Sequence, residues 1–514
     1  MTRFRPIATK ALTLTMLAAA LAACTTVGPD YHVPKEAVVN RPEANAKFMG
    51  ASEKPFKSDP LPADWWHLYQ DPVLDGLITK AFANNADLRV AAANLERAHG
   101  VLDEVEEKKH PEVEMMAAPQ YGRIAGSSIG IPEELPAGGL YDAEIKVGYT
   151  LDVFGRIKRA IQASEADVDA AQAAADLAHV MVAADTTRAY TEACSAGYQL
   201  KVAQQSVDLQ QKFVKLTQER IQRGRGIAIE TSRAQAQFEA LKANLPPLEA
   251  RRRTALYHLA VLTGEVPSKF PAEVAQCVTP PRVTSAIPVG DGTALLRRRP
   301  DVRQAERQLA GATARIGVAT GELYPTINLG GSFGMVGMAN QWNDANTFKF
   351  NLGPLITWSL PSLSSARSHI AQAKSSTKGA LAHFDSVVLN ALRETESALT
   401  VYARELDRNA ALRAARDQSA LAARQSAKLY RYGRTDFLSQ LDADRTLAGA
   451  ESVLAASDAQ LAADQVQLFL ALGGGWENTH AAGQGEGKEG AGEKVAQAKE
   501  GKEAKEAKDA QAAK

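Results

Sequence analysis

Two long stretches of the chain, residues 155–245 and 362–475, contain no proline and share one apolar pattern. In each, apolar and small residues recur at alternating spacings of three and four, as in the seam of a coiled coil. The first seam is Leu177, Val180, Ala184, Thr187, Thr191, Cys194 and Tyr198, and the second is Leu381, Phe384, Val388, Ala391, Thr395, Ala398 and Tyr402. A helix over residues 157–222 would be about 100 Å long at the ordinary helical rise. Because no compact globular domain needs such a helix, the pattern predicts extended helical hairpins.

Short motifs in the first half of the chain return in the second half in the same order. Residues 85–89 (Asn-Ala-Asp-Leu-Arg) resemble residues 299–303 (Arg-Pro-Asp-Val-Arg). Further pairs are His110-Pro111 with Tyr324-Pro325, Gly224 with Gly433, and Leu262-Thr263-Gly264 with Leu472-Gly473-Gly474. We interpret the chain as a tandem of two structural repeats, residues 63–264 and 291–475. The glycine turns Gly224-Arg225-Gly226 and Gly433 are expected to fold residues 155–264 and 362–475 into hairpins.

The regions outside the repeats differ from them in composition. Residues 265–290 hold five prolines, too many to continue a helix, and are predicted to be a linker. Residues 476–514 are mostly Gly, Ala, Glu, Lys and Gln. Such a segment cannot bury enough apolar surface to fold alone, so a disordered low-complexity tail is predicted.

The N-terminus has the layout of a secretory signal. Arg3, Arg5 and Lys10 precede an apolar run over residues 11–23, which is too short to span a bilayer as a helix. The run ends at Cys24 in a sequence that resembles the lipobox of bacterial lipoproteins, although an ordinary signal peptide with a chance cysteine is the alternative. The resemblance implies a signal peptide over residues 1–23 and an extended lipidated segment over 24–62. It also implies a covalent lipid, diacylglycerol and N-acyl, on Cys24, no other cofactor, and sorting to the outer membrane.

Four shorter segments alternate apolar and polar residues with the period of a β-strand. They lie near residues 112–122, 141–152, 325–335 and 347–358. Each has the length of a tilted membrane-spanning strand, with one face for lipid and the other for a wet lumen. An ordinary half-buried antiparallel sheet would give the same alternation. The long flanking helices and the export signal favour the membrane, where four strands cannot close a barrel, so the chain must form an oligomer.

Two cysteines remain after the predicted lipidation site. Cys194 lies on the first seam and Cys277 lies in the proline-rich linker. An oxidising compartment permits a disulfide between them. The seam position favours the other interpretation, in which Cys194 is a small buried hydrophobic residue.

From Cys24 to about residue 475, the chain resembles the TolC-like outer membrane factors, and within them the lipoproteins of the NodT or OprM type. The resemblance is carried, in order, by Val27-Gly28-Pro29-Asp30-Tyr31, Asp64-Trp65-Trp66, residues 71–78 (DPVLDGLI), residues 84–88 (NNADL), residues 151–156 (LDVFGR), residues 298–303 (RRPDVR), Tyr430-Arg431-Tyr432-Gly433 and Leu441-Asp442-Ala443. Residues 357–363 depart from the family pattern, because members often carry an acidic and Gly-Gly stretch there.

The resemblance implies a mainly α-helical protein with membrane β-strands. Long coiled-coil hairpins would form a periplasmic tunnel, and four strands per protomer would build a 12-stranded β-barrel in a homotrimer. The implied function is the outer membrane channel of a tripartite RND-type multidrug efflux system, a passive exit duct for small molecules. Its implied partners are a periplasmic adaptor (membrane fusion) protein, an inner-membrane RND transporter and outer membrane lipid. The channel of a type I protein secretion system is the alternative.

The resemblance also assigns roles to residues near the hairpin turns. Gly224 and Gly433 would turn the hairpins where the adaptor docks, with Tyr430 and Phe437 as docking contacts or mere packing residues. A periplasmic aperture would be held shut by Leu438, Asp442 and Arg445. Asp442 and Arg445 are three residues apart and could pair on one helical face. An ordinary ion pair on an exposed helix would show the same spacing. Because these candidates lie in one repeat only, opening could differ between the two hairpins.

Other function classes find little support in the sequence. The formal net charge is +0, and the basic runs 251–253 and 297–299 are typical of solvated helix faces or helix starts, so no nucleic-acid partner is expected. No phosphate-binding loop, H-E-x-x-H or C-x-x-C motif occurs, which argues against an enzyme such as a periplasmic hydrolase and against a metal site. A pore-free coiled-coil lipoprotein would leave the four alternating strands unexplained.

Overall fold

The computed structural model describes residues 26–477, except residues 54, 124, 126, 128, 129, 131, 133, 135, 343 and 359–362. In this part of the chain the α-helices are α1 (Pro72–Asn84), α2 (Ala86–Glu107), α3 (Arg156–Gln222), α4 (Ala228–Lys242), α5 (Leu245–Leu262), α6 (Gly292–Arg298), α7 (Pro300–Gly321), α8 (Leu363–Arg431) and α9 (Phe437–Leu472). The strands are β1 (Phe56–Lys57), β2 (Glu112–Gly122), β3 (Gly138–Leu151), β4 (Ile287–Pro288), β5 (Thr326–Met338) and β6 (Phe348–Thr357).

The long helices match the heptad pattern in the sequence. Helix α3 has 67 residues and α8 has 69, and each leads into a hairpin through a short turn. The return arm of the second hairpin is the single helix α9, whereas that of the first is split into α4 and α5. The split falls just before Pro246 and Pro247, because a proline lacks the N–H that a continuing helix requires. None of the helices described above is long and apolar enough to cross a membrane.

One compact unit contains the described residues up to Ala37, together with Ala93–Gln172 and Arg303–Ser386. Its centre is an antiparallel sheet in the order β2-β3-β5-β6, so all four strands predicted from the alternation are present. Strand β3 begins earlier than expected, at Gly138, and β5 continues to Met338. The register aligns Met115 of β2 with Ile145 of β3, Phe333 of β5 and Phe350 of β6, which places apolar residues on a common face.

The second compact unit contains Val38–Ala92, Ala173–Val302 and the described residues from Val387 onward. Its core is built around Trp65, which is fully buried, stacks on Phe469 at 4.7 Å and donates from Nε1 to the carbonyl oxygen of Gly474. A two-residue parallel pairing of β1 with β4 joins the N-terminal segment to the linker. The Asp64-Trp65-Trp66 motif therefore packs against the end of the second repeat.

The two cysteines in this unit form a disulfide, with 4.8 Å between the Cα atoms of Cys194 and Cys277. The interpretation of Cys194 as a simple seam hydrophobe was wrong. The linker crosses α3 so closely that a Cβ at Gly197 would lie 2.2 Å from the carbonyl oxygen of Cys277. This close approach brings the two sulfur atoms together, and the linker is thereby fixed to the first hairpin.

Candidate functional site

The four-stranded sheet has two chemically different faces. Its apolar face exposes large side chains, among them Phe350 and Leu352, which are each 83% exposed. Others are Val113, Met115, Ile145, Val147, Phe333, Phe348 and Ile356. The opposite face carries every charged side chain of the four strands: Glu112, Glu114, Asp142, Glu144, Lys146 and Lys349. An exposed apolar face of this size suits contact with lipid, and the charged face suits contact with water.

Polar pairs connect the strands on the charged face. The Thr150 hydroxyl donates to the Asn328 side-chain oxygen at 2.8 Å, and the Asn351 amide donates to the Ser332 hydroxyl at 2.8 Å. The outer strands of this sheet are β2 and β6. Backbone groups on such edges need partners if the sheet lies in lipid.

The segment that follows the predicted lipidation site has a defined position. The Val27 N–H donates to the Phe154 carbonyl oxygen at 3.0 Å, and the Arg159 guanidinium donates to the carbonyl oxygens of Val27 and Gly28 at 2.9 and 3.0 Å. Arg159 also pairs with Asp30 at 2.8 Å. Gly28 has a φ of +84°, and a Cβ on Gly28 would lie only 2.4 Å from the Cα of Gly317. Cys24 itself lies outside the described residues, but the chain three residues later, at Val27, is held at the start of α3.

Tyr31 extends this attachment to α7. Its hydroxyl donates to Glu306 Oε1 at 2.7 Å, and the Arg307 guanidinium lies 5.9 Å from the centre of its ring. Burial, followed by the neighbouring Glu306 carboxylate, raises the pKa of the Tyr31 phenol well above its ordinary value, so the phenol remains a donor. The Val27-Gly28-Pro29-Asp30-Tyr31 motif therefore has a physical role, which is to fix the chain beside α3 and α7.

The two hairpin turns lie beside each other. Gly224 and Gly433 have φ values of +71° and +67°, as the turns require. Near them, Phe213 stacks on Phe437 at 5.5 Å, and the Arg220 guanidinium lies 4.5 Å from the centre of the Tyr430 ring.

Tyr430 and Phe437 are buried in this cluster, together with Val214 and Ala234. Both side chains therefore act as packing residues within this chain, and their role as docking contacts stays a prediction. Exposed apolar side chains at the turns are instead Ile227, Ile229 and Tyr432, which sequence reasoning did not single out. To separate buried from exposed residues at the turns, one must know which helix face meets the other hairpin. The heptad pattern near the turns is too irregular to identify that face.

The predicted aperture residues all lie in the first turns of α9. Leu438 is 53% exposed, and Asp442 and Arg445 are exposed as well. Within the described chain, Asp442 and Arg445 do not pair with each other, although their spacing would allow it. Their side chains remain available to groups outside this chain.

Two neighbouring acids, which the sequence did not mark out, do have partners. Asp436 accepts from the Ser439 N–H at 2.7 Å as the N-cap of α9, and this hydrogen bond lowers the pKa of its carboxyl group. Asp444 accepts from the Gln440 amide at 2.7 Å. Burial raises the pKa of the Asp444 carboxyl group in spite of that hydrogen bond. The pKa values of these two neighbouring acids are therefore shifted in opposite directions.

No group of three or more His, Cys, Asp or Glu side chains suited to a metal ion occurs among the residues described. Within the departure from the family pattern, residues 357–363, residues 359–362 lie outside the described part, as does the predicted tail from residue 478 onward. The chemistry of the described surfaces is thus that of a two-faced sheet and of exposed helical turns.

Comparison with known proteins gives matches along most of the chain. A family model described as outer membrane efflux protein matches residues 77–265 and 293–474, one match in each repeat. Nodulation protein T of Rhizobium leguminosarum bv. trifolii is 26% identical, over 89% of this chain and 96% of that protein. Cation efflux system protein CusC of Escherichia coli O6:H1 is 23% identical, over 90% of this chain and 98% of that protein.

Solved structures agree with this match. The outer-membrane channel OprN superposes with a TM-score of 0.82 at 34% identity, over 88% of this chain and 100% of OprN. The open state of the MtrE outer membrane channel of Neisseria gonorrhoeae has a TM-score of 0.76 at 24% identity, over 88% of this chain and 99% of MtrE, which bears on the fold alone. The predicted fold class is confirmed. CusC, OprN and MtrE are named as efflux or channel proteins and not as enzymes.

Proposed function

The chain belongs to the outer membrane efflux protein family, and from this premise we propose that it is one protomer of a homotrimeric exit channel. The protein is located in the outer membrane. The proposed channel passively carries small molecules from the periplasm to the exterior. An inner-membrane RND transporter supplies the energy, and a periplasmic adaptor protein joins the two.

The observation that carries the proposal is the two-faced sheet with its outer strands β2 and β6. A sheet with an exposed apolar face is suited to lipid, but open edges are not tolerated there because their backbone groups lack partners. Pairing of β2 of one copy with β6 of the next satisfies both edges. Three copies with four strands each then form a closed barrel of 12 strands, with the charged faces turned toward the lumen.

The N-terminal segment supports a lipid anchor as a second attachment to the membrane. The contacts of Val27, Gly28 and Tyr31 hold the chain beside Phe154, shortly after β3 ends at Leu151. A diacylglycerol and an N-acyl chain on Cys24 would start close to that point. Metabolic labelling with palmitate should mark the wild-type protein, whereas Cys24→Ala should carry no label. A labelled Cys24→Ala protein would contradict the anchor.

A pair of adjacent substitutions in β6 tests the channel proposal. Phe350 lies on the apolar face and Asn351 on the charged face, opposite Phe333 and Ser332. A lysine on the lipid face of a membrane strand is unfavourable, at roughly 2–4 kcal/mol near the midplane, whereas a lumen-facing lysine is tolerated. We expect Phe350→Lys to abolish the heat-labile trimer in outer membrane extracts, while Asn351→Lys retains it.

The readouts are gel mobility with and without heating and single-channel recording of the full-length protein. A wild-type protein that purifies as a water-soluble monomer, or that forms no channels in planar bilayers, would refute the proposal. Equal assembly of the Phe350→Lys and Asn351→Lys variants would refute the assignment of the two faces.

We further propose that Leu438, Asp442 and Arg445 close the periplasmic end of the channel. Three Asp442 carboxylates around a threefold axis would form an acidic ring of the kind that favours cations. The exposure of all three side chains supports a role in contacts between copies. Asp442→Ala should raise single-channel conductance and susceptibility to bulky antibiotics, and Asp417→Ala, which removes another exposed aspartate, should change neither. Unchanged conductance in Asp442→Ala would contradict the closure.

A further inference from the structure

We propose that Lys349 sets the charge preference of the channel by neutralising two carboxylates across a glycine of strand β5. The inference rests on the proposed function, since it concerns ions that pass along the charged face of the sheet. It adds a specificity-determining residue that lies in the membrane strands, apart from the aperture at the hairpin turns.

The register of the sheet aligns three residues in a row. Glu144 of β3 lies opposite Gly334 of β5, and Gly334 lies opposite Lys349 of β6. Because Gly334 has no side chain, the groups on either side can meet above it. A Cβ at Gly334 would lie 2.5 Å from the Glu144 Cβ and 2.3 Å from the Ala143 carbonyl oxygen, so no other residue fits there without a shift.

The Lys349 ammonium group uses this gap to contact two acids of β3. Its Nζ lies 2.6 Å from Asp142 Oδ1 and 2.7 Å from Glu144 Oε2. The other Glu144 oxygen, Oε1, lies 2.8 Å from the Lys146 Nζ. Glu144 keeps only 8% of its side chain exposed, whereas Lys349 keeps 32%. The Glu144 carboxylate is thus largely enclosed by its neighbours, whereas the lysines of the cluster remain accessible from the lumen.

The charged face as a whole is acidic. Among the strand residues it carries four carboxylates, Glu112, Glu114, Asp142 and Glu144, against two ammonium groups, Lys146 and Lys349. Lys349 is the only cation contributed by β5 or β6, and it is the group that bonds to Asp142. Removing its charge would leave Asp142 without its cation and would leave Glu144 with Lys146 alone, so one more negative charge would face the passage. Repeated in each copy of the channel, the change would favour cations.

The expected size follows from the Coulomb energy of one charge in water. A unit charge about 7 Å from a passing ion changes the local ion concentration about threefold when salt is low, and less as salt screens it. Lys349→Met keeps the length of the side chain and removes its charge. Because the substitution raises the local K⁺ concentration and lowers the local Cl⁻ concentration by the same factor, we expect the permeability ratio of K⁺ to Cl⁻ to rise about sevenfold at low salt in this variant.

The test is a reversal-potential measurement on the full-length protein in planar bilayers under a gradient of dilute KCl. Lys349→Arg should retain the wild-type ratio, because it keeps the positive charge. Asp142→Asn should lower the ratio, because it removes one acid and leaves Lys349 in place. This second variant decides the matter if Lys349→Met fails to assemble.

The possible failures are distinguishable. A conducting Lys349→Met channel with the wild-type permeability ratio would overturn this inference and leave the channel proposal intact. An unchanged ratio in Asp142→Asn would overturn it in the same way. A wild-type protein that forms no conducting pore would overturn both.

Discussion

In each repeat, a side chain at the break between two consecutive helices forms a hydrogen bond with the C-terminal end of the helical hairpin. The chemistry of this contact differs between the two repeats. In the first repeat the Asn85 amide donates to the Leu262 carbonyl oxygen at 3.1 Å, and its side-chain oxygen accepts from the Asp87 N–H at 2.8 Å. In the second repeat the corresponding residue is Arg299, which donates to the Ala471 carbonyl oxygen at 2.9 Å. One architectural position is thus served by a neutral amide in one copy and by a guanidinium in the other.

The guanidinium forms more contacts than the amide. Arg299 also pairs with Asp301 at 2.8 Å and with Glu394 at 2.9 Å, so it joins the helix break to both α8 and α9. Hydrogen bonds with charged partners are stronger than neutral ones. Removing one partner also costs more stability, because the remaining charge is left unpaired. The second repeat should therefore depend more on its arginine than the first repeat does on its asparagine.

The first repeat has a covalent bond that the second lacks. Cys194 on the first seam corresponds to Ala398 on the second, and only Cys194 binds the linker, through Cys277. The second hairpin holds the linker without a covalent bond. There, Arg282 pairs with Asp458 at 2.8 Å, and the Gln465 side chain forms two hydrogen bonds with the backbone of Val283.

Loss of the disulfide should give the largest difference between the repeats. Its cysteines are 83 residues apart. Closing a loop of that size lowers the entropy of the unfolded chain and raises its free energy by about 4 kcal/mol. We expect the double substitution Cys194→Ala, Cys277→Ser to lower the free energy of unfolding by about this amount, measured by guanidinium denaturation in detergent. Reduction should reproduce the loss in the wild type and have no effect on the variant. A denaturation midpoint that responds to neither treatment would contradict the expectation.

Arg299→Met should have the next largest effect. It removes the donor to Ala471 and the guanidinium beside Asp301, while Glu394 keeps Arg393 at 3.6 Å. Because Glu394 is 40% exposed, water compensates in part, and we expect a loss of about 2–3 kcal/mol. Arg299→Lys keeps the charge but not the planar fork, so its loss should be smaller. The interpretation would be wrong if Arg299→Met lost less stability than the alanine variant of Asn85.

Asn85→Ala should cost less, about 1–2 kcal/mol, because it removes one helix cap and one buried hydrogen bond. Asn85→Asp separates the two contributions. The aspartate can still accept from the Asp87 N–H, but it cannot donate to Leu262. Equal stability of the aspartate variant and the wild type in thermal unfolding would show that the bond to Leu262 contributes nothing.

The hairpin turns offer the smallest expected difference. Asp436 caps α9 with its side chain, whereas Ile227, which precedes α4, provides no side-chain cap. Asp436→Ala should speed hydrogen exchange in the first turn of α9, and Ile227→Asp should slow it in the first turn of α4. Identical exchange in the substituted and wild-type turns would contradict the role of the cap.

The cap also has a defined pH dependence. Because the pKa of Asp436 is lowered in the folded protein, its contribution is present above the ordinary pKa of an aspartate and is lost as the pH falls through the lowered folded value. Asp436→Asn keeps a cap without a charge, so the variant should lose this pH dependence of exchange.

Much of the fold could be predicted because its signals are local. The heptads that lead into the turns at Gly224 and Gly433, and the alternation in β2, β3, β5 and β6, depend only on neighbours a few residues apart. The candidate site was predicted less completely. Tyr430 and Phe437 are aromatic residues beside a turn, as exposed contacts often are. They are nevertheless buried, because Tyr430 of α8 and Phe437 of α9 both pack on Phe213 of α3. Arg299 belongs to a basic run typical of a solvated face or helix start, yet it is buried against α9.

The sequence by itself determined the long helices, the four two-faced strands and the internal repeat, since periodic side-chain patterns encode secondary structure directly. Only the tertiary structure decided that Cys194 pairs with Cys277 and that Lys349 contacts Glu144 across Gly334. It also decided that Arg299 binds the end of the second hairpin, as Asn85 binds the end of the first. These pairings join residues far apart in the chain. They depend on strand register and on which helix face packs inward, and no local pattern carries that information.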